Sequence, residues 1–115
     1  MKFAMFVVHG DDSVTPADEA AAPDVDEWFE YVRARGAFVH AVRLLDPSEA
    51  KMAARRGGEL LVTDGPFAET REWIAGFAIV ECASMAEALE IAGRNPAAYH
   101  GRVEIRPVHS STLDD

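Results

Sequence analysis

Residues 2–8 alternate with no polar side: Phe3, Met5 and Val7 fall on one face and Ala4, Phe6 and Val8 on the other. A strand with two apolar faces belongs in the middle of a sheet. The next stretch, Gly10 to Pro23, is polar and Ala-rich, holds Asp11, Asp12, Asp18 and Glu19, and reads as a loop because Pro16 and Pro23 discourage a continuous helix. It is a candidate lid. Asp24 or Asp26 can cap a helix running to about Arg35, with Trp28, Val32 and Arg35 along one stripe and Phe29 and Tyr31 widening it, and Gly36 ends it.

Ala37 to Leu45 reads as a second strand, closed by Asp46-Pro47. Two short runs follow, Ala50 to Arg55 and Glu59 to Thr63, joined through Arg56-Gly57-Gly58, which is a hairpin signal. Trp73 to Cys82 is a long strand containing Gly76. Ser84 or Met85 opens a helix to about Arg94, with either Ala86, Leu89 and Gly93 or Ala88 and Ala92 as its small-residue face, and Asn95-Pro96 stops it. Arg102 to Val108 is the last strand, with Val103 and Ile105 alternating with Glu104 and Arg106.

The order β-α-β, hairpin, β-α-β predicts an α+β fold of the ferredoxin-like, split βαβ type with an inserted hairpin, over residues 1–115 as a single domain. Two helices cover one face of such a sheet. Because the first and fourth main strands are apolar on both sides, the second face needs a cover, and a two-fold partner presenting the same sheet supplies one. A homodimer is therefore expected.

Composition narrows the partners. With 115 residues, 49% of them hydrophobic, the chain can bury one core. Eleven Lys and Arg against twenty Asp and Glu leave a formal charge of -9, which argues against a broad nucleic-acid surface and against anionic grooves as partners. There is no apolar run of the length a membrane span needs and no secretory leader pattern, and the single cysteine, Cys82, cannot form an intramolecular disulfide. These point to a cytoplasmic protein. Cys82 stands beside Glu81 without an electropositive setting, so an unreactive thiol is expected.

Candidate chemistry gathers in Val62-Thr63-Asp64-Gly65-Pro66-Phe67-Ala68-Glu69-Thr70-Arg71-Glu72, a turn rich in ionisable groups between two apolar runs. Asp64, at a strand end, can orient an imidazole or take a proton, or it can simply cap the turn. His9 ends the first strand, where it can line the mouth of a barrel or serve as a surface residue. His40 lies mid-strand, sharing a face with Phe38 and Val42 by strict alternation, and can point inward as a proton carrier or sit as a satisfied interface histidine. His100 and His109 fall in a loop and a tail. No HxH, HExxH or Cys-His spacing is present, so neither a metal nor another cofactor is expected. Arg43, Arg55 and Arg56 can bind an anionic group of a substrate or lie solvated on the hairpin, and Trp28 and Trp73 read as core or interface aromatics.

The run Asp64-Gly65-Pro66-Phe67, continuing through Glu69, Thr70 and Glu72 into Trp73 to Val80, resembles the DGPF signature of the YCII-related family. The likeness extends from the opening strand and Gly10-Asp11-Asp12 to Val103-Glu104-Ile105-Arg106-Pro107-Val108. It implies small proteins that dimerise through their sheets into an α+β barrel with an internal pocket. For some members it implies a His and Asp pair with the His in the first helix. Here that helix, Asp24 to Ala34, has no histidine, so the likeness carries over to Asp64 alone, with Glu30, Tyr31, His40 or His9 as replacements for the missing group. Arg71 stands where the motif commonly has Lys, which keeps the charge but not the capacity for proton transfer. Two functions follow. One is a cofactor-independent lyase, isomerase or binding protein for a small organic molecule. The other is an accessory module associated with extracytoplasmic-function sigma factors.

Overall fold

The structure is a computed structural model and describes residues 1–65 and 72–110. Its elements are β1 (Lys2–His9), α1 (Pro16–Ala20), α2 (Val25–Ala34), β2 (Phe38–Arg43), β3 (Lys51–Arg56), β4 (Glu59–Asp64), β5 (Trp73–Glu81), α3 (Met85–Gly93), α4 (Ala97–His100) and β6 (Arg102–Pro107). The chain is of the α+β class. A four-stranded antiparallel sheet runs β2-β5-β1-β6, and β3 and β4 form a separate two-stranded sheet. Each β-α-β unit is thus split by a strand from the other.

Strand register sorts the residues of β1 into two faces, because directly opposed residues point to the same side. Phe3 and Met5 stand across from Val80 and Ala78 on β5 and from Pro107 and Ile105 on β6. On this face α2 and α3 lay down Trp28, Val32, Ala88, Ile91 and Ala92, all buried. Of the two small-residue faces available to α3, Ala88 and Ala92 are the one used, and Leu89 is exposed. The small side chains let the helix approach the sheet closely. Trp28 Nε1 donates to the Ile91 carbonyl at 2.9 Å, so the one polar atom of this ring is satisfied inside the core and α2 is tied to α3. Farther out, Arg94 lies 4.3 Å from the Tyr31 ring centroid.

The other face carries Ala4, Phe6 and Val8, opposed by Ile79, Phe77 and Ile74, with Phe6 and Phe77 ring centroids 6.5 Å apart. The described residues place no helix over this face, and Ile74 is half exposed.

Three local readings are corrected. Residues 10–23 are not all loop: Thr15 caps α1 through a reciprocal pair with Asp18, and Pro16 falls at the start of the helix, where a missing N–H leaves nothing unpaired. The same segment is pinned by Ser13, whose N–H and hydroxyl both donate to Asp11 Oδ1, and by Arg102, whose Nε lies 3.4 Å from Asp11 Oδ2. His100 lies in α4, not a loop, because Asn95 Oδ1 accepts from the Ala97 N–H and opens one more turn. On β2 the register shifts between Phe38 and His40, so Phe38 opposes Val80 on the helix side while His40 opposes Ile79 on the open side. The extra residue of a bulge breaks the strict alternation that would put them on one face.

Two glycine sites matter to these paths. Gly57 and Gly58, with φ of 58° and 82°, make the tight hairpin turn between β3 and β4. At Gly76 an added Cβ would lie 2.5 Å from the Val42 carbonyl oxygen, so only glycine lets β2 and β5 approach there.

Candidate functional site

A cleft of about 450 Å³ opens between α2 and the sheet, at the end where β1 and β2 finish and β5 begins. Val7, Trp28 and Phe29 form apolar walls, and His9, Arg43 and Asn95 bring polar groups to it. Apolar walls with a few convergent polar side chains are the usual make-up of a small-molecule site, and this volume lies within the usual range. The walls are built by the sequence pattern already described: α2 turns its aromatic stripe inward, and its Trp28 ring is fixed by the bond to Ile91. Asn95 is likewise held by its bond from Ala97.

His9 opposes Trp73 across the β1–β5 ladder, and the two rings meet edge to face with centroids 5.0 Å apart. Burial holds the His9 pKa below the ordinary histidine value, and the nearby His100 charge pushes it the same way. Its imidazole is therefore biased toward the neutral form, which can accept a proton near neutral pH. One consequence is measurable in the free protein. The folded chain binds a proton at His9 less readily than the unfolded chain does, so stability is expected to fall as pH drops below about 6.5, the ordinary histidine value. Urea unfolding of the wild type and His9→Gln between neutral and mildly acidic pH should show a shallower acid loss in the variant; equal slopes would count against this role for His9.

The other two candidates lie elsewhere. His40 is exposed on the open face of the sheet. Asp64 ends the β3–β4 hairpin, where its side chain is 85% exposed and its carboxylate contacts Lys51 Nζ across the ladder. An ion pair this open to water contributes at most about 1 kcal/mol. Among the described residues no hydrogen bond or ion pair joins any two of Asp64, His40 and His9. Pro66 to Arg71, which include the rest of the DGPF run, Glu69 and Arg71, lie outside the described residues.

Of the cleft residues, Arg43 is legible in the sequence as a cation for an anionic group and Trp28 as a core or interface aromatic, whereas Asn95 is assigned to no site by sequence reasoning. An Arg at a strand end and an Asn before a proline have ordinary local explanations, and only the packing of α2 on the sheet brings them together. A cue did exist in the aromatic face of α2, which holds more side-chain volume than a single stripe requires.

Among the described residues no group of three or more His, Cys, Asp or Glu side chains is arranged to hold a metal ion. Cys82 is buried, which raises its thiol pKa, and it donates weakly to the Ser84 carbonyl at 3.6 Å. A protonated, buried thiol is a poor nucleophile. No helix of the described residues is long and apolar enough to cross a membrane.

Residues 1–111 match the YCII-related domain. An uncharacterized protein of Rhizobium meliloti (strain 1021) is 37% identical over 110 residues, covering 87% of this chain and 86% of the relative. With nearly the whole length matched by the domain and a relative spanning most of both chains, this protein belongs to the YCII-related family.

Proposed function

We propose that this protein is a homodimer that holds a small planar organic anion in the α2 cleft, with His9 as a proton acceptor on it. The observation that carries this reading is the cleft itself, where aromatic walls meet a histidine biased toward its neutral form, with Arg43 and Asn95 beside it. Aromatic walls suit a flat ligand, and the Arg43 guanidinium suits a carboxylate or phenolate on its edge. The reaction class is cofactor-independent isomerisation or elimination. A carbon-bound proton of the ligand passes to a His9 ring nitrogen, leaving its electron pair on the ligand. That pair then either shifts a double bond, with the proton returned to a second carbon, or expels a leaving group that departs with its bonding electrons.

In this reading the fold is the ferredoxin-like split βαβ arrangement, and the open sheet faces of two copies close into an α+β barrel. The apolar second face of β1 and β5 supports that pairing. His40 then lies at the junction of the two sheets and Asp64 stays on the hairpin rim.

The test is a titration with 4-hydroxybenzoate followed by NMR. Saturable shifts of the His9 ring and the Trp28 and Trp73 indole signals are expected, and Arg43→Ala should weaken binding about tenfold, the scale of one charge-assisted bond. Asp64→Asn should leave binding unchanged. If these signals do not move at millimolar ligand, or if Asp64→Asn abolishes binding while Arg43→Ala does not, the cleft reading fails.

A further inference from the structure

The β3–β4 hairpin stands outside the core. Its two strands pair with one another, and among the described residues no other element packs substantially on them. A lone two-stranded hairpin is marginal in water unless something covers an apolar face. This one is apolar on both. Met52 and Leu61 share one face and Leu60 and Val62 the other, and all four are 43–60% exposed. No other place in the described structure leaves so many large apolar side chains uncovered within one short element.

Its charge is also unlike that of the rest. Lys51, Arg55 and Arg56 against Glu59 and Asp64 give the hairpin one net positive charge, so the remainder of a chain of formal charge -9 carries -10. Arg55 and Arg56 donate to backbone carbonyls, of Gly58 at 3.0 Å and of Arg55 at 2.7 Å, and neither meets a carboxylate among the described residues. The surface that complements this element is apolar with acidic groups around it. A second copy of the chain supplies both along the margin of its paired apolar sheet face, where Glu104 stands on β6, and in a strongly acidic body.

We propose that the β3–β4 hairpin is an arm that docks on a second copy of this chain, burying Leu60 and Val62 against it and setting Arg55, which shares their face, among its carboxylates. The inference builds on the homodimer of the preceding reading and adds a contact that sheet pairing alone does not require. Because electrostatic attraction between exposed groups is screened by salt, part of the association should be salt-sensitive.

The experiment is a dilution series by analytical ultracentrifugation, at low and high salt, on the wild type, Leu60→Glu/Val62→Glu, Arg55→Glu and Phe77→Glu. All the hairpin positions are exposed, so the hairpin variants should keep the wild-type circular dichroism. Each hairpin variant is expected to raise the dimer dissociation constant at least about tenfold, and the arginine variant should lose the salt dependence shown by the wild type. Hydrogen exchange gives a second readout, in which hairpin amides are protected in the dimer and lose protection on dilution to monomer. Unchanged dissociation constants in both hairpin variants, with Phe77→Glu alone splitting the dimer, would overturn the arm and leave sheet pairing intact. A monomeric wild type would overturn both, as would a hairpin bound only by some other protein.

Discussion

Replacing Phe3 with alanine is expected to destabilise the folded chain by roughly 3–5 kcal/mol, the usual range for removing a fully buried phenylalanine ring. Phe3 has no exposed surface and sits on β1 between Val80 and Pro107. The helices α2 and α3 cover it from above, so the surroundings cannot collapse into the vacated volume without moving a helix. Against a total stability of about 5–15 kcal/mol for a domain, this loss is a large fraction. Chemical denaturation should show a much lower midpoint with a similar slope. The matched change on the other face of the same strand, Phe6→Ala, should have a smaller effect in the isolated chain, because that ring is only partly buried. Equal losses would mean that the two faces of β1 do not differ as the register indicates.

A charge at Phe77 should act on assembly instead. Phe77 opposes both Phe6 and Val42 on the uncovered face, at the centre of its apolar area. In a dimer closed over this face, Phe77→Glu places a carboxylate where no partner group neutralises it, a penalty of several kcal/mol unless it takes up a proton. The variant is expected to sediment near the 12.5 kDa chain mass while the wild type sediments near twice that value. The variant's secondary structure should persist, since the buried helix-side core is untouched. A variant that remains fully dimeric would place the dimer contact elsewhere on the molecule.

The elements that sequence reading recovers best are those whose signal is local. The two-faced apolar pattern of β1, the inward Trp28 and Val32 of the α2 stripe, the Gly57-Gly58 turn and a helix start at Ser84 and Met85 are all properties of short windows and appear where expected, whereas Arg35, the third member of that stripe, is the exposed C-cap. The misses share a cause as well. Pro16 reads as a breaker in the sequence because its effect depends on the helix position it occupies, and only the Thr15 and Asp18 pair shows that position to be the first turn. Alternation puts His40 on the face of Phe38 because it assumes an unbroken ladder, whereas the bulge after Phe38 depends on how β2 meets β5.

The candidate site follows the same division. The sequence offers His9 as one of three ionisable candidates, yet nothing in the chain order sets it above Asp64 or His40. Periodicity by itself determined the α+β class, the order of the strands and of the two longer helices α2 and α3, and the apolar second face that calls for a cover, because these depend on side-chain spacing along the backbone. Tertiary structure alone decided that His9 meets Trp73, that Arg43 and Asn95 join it at one cleft, and that Asp64 is engaged by Lys51 in water. Those relations join residues at least 13 positions apart, through strand register and the seating of α2 on the sheet, and no local pattern encodes which distant side chains end up facing one another.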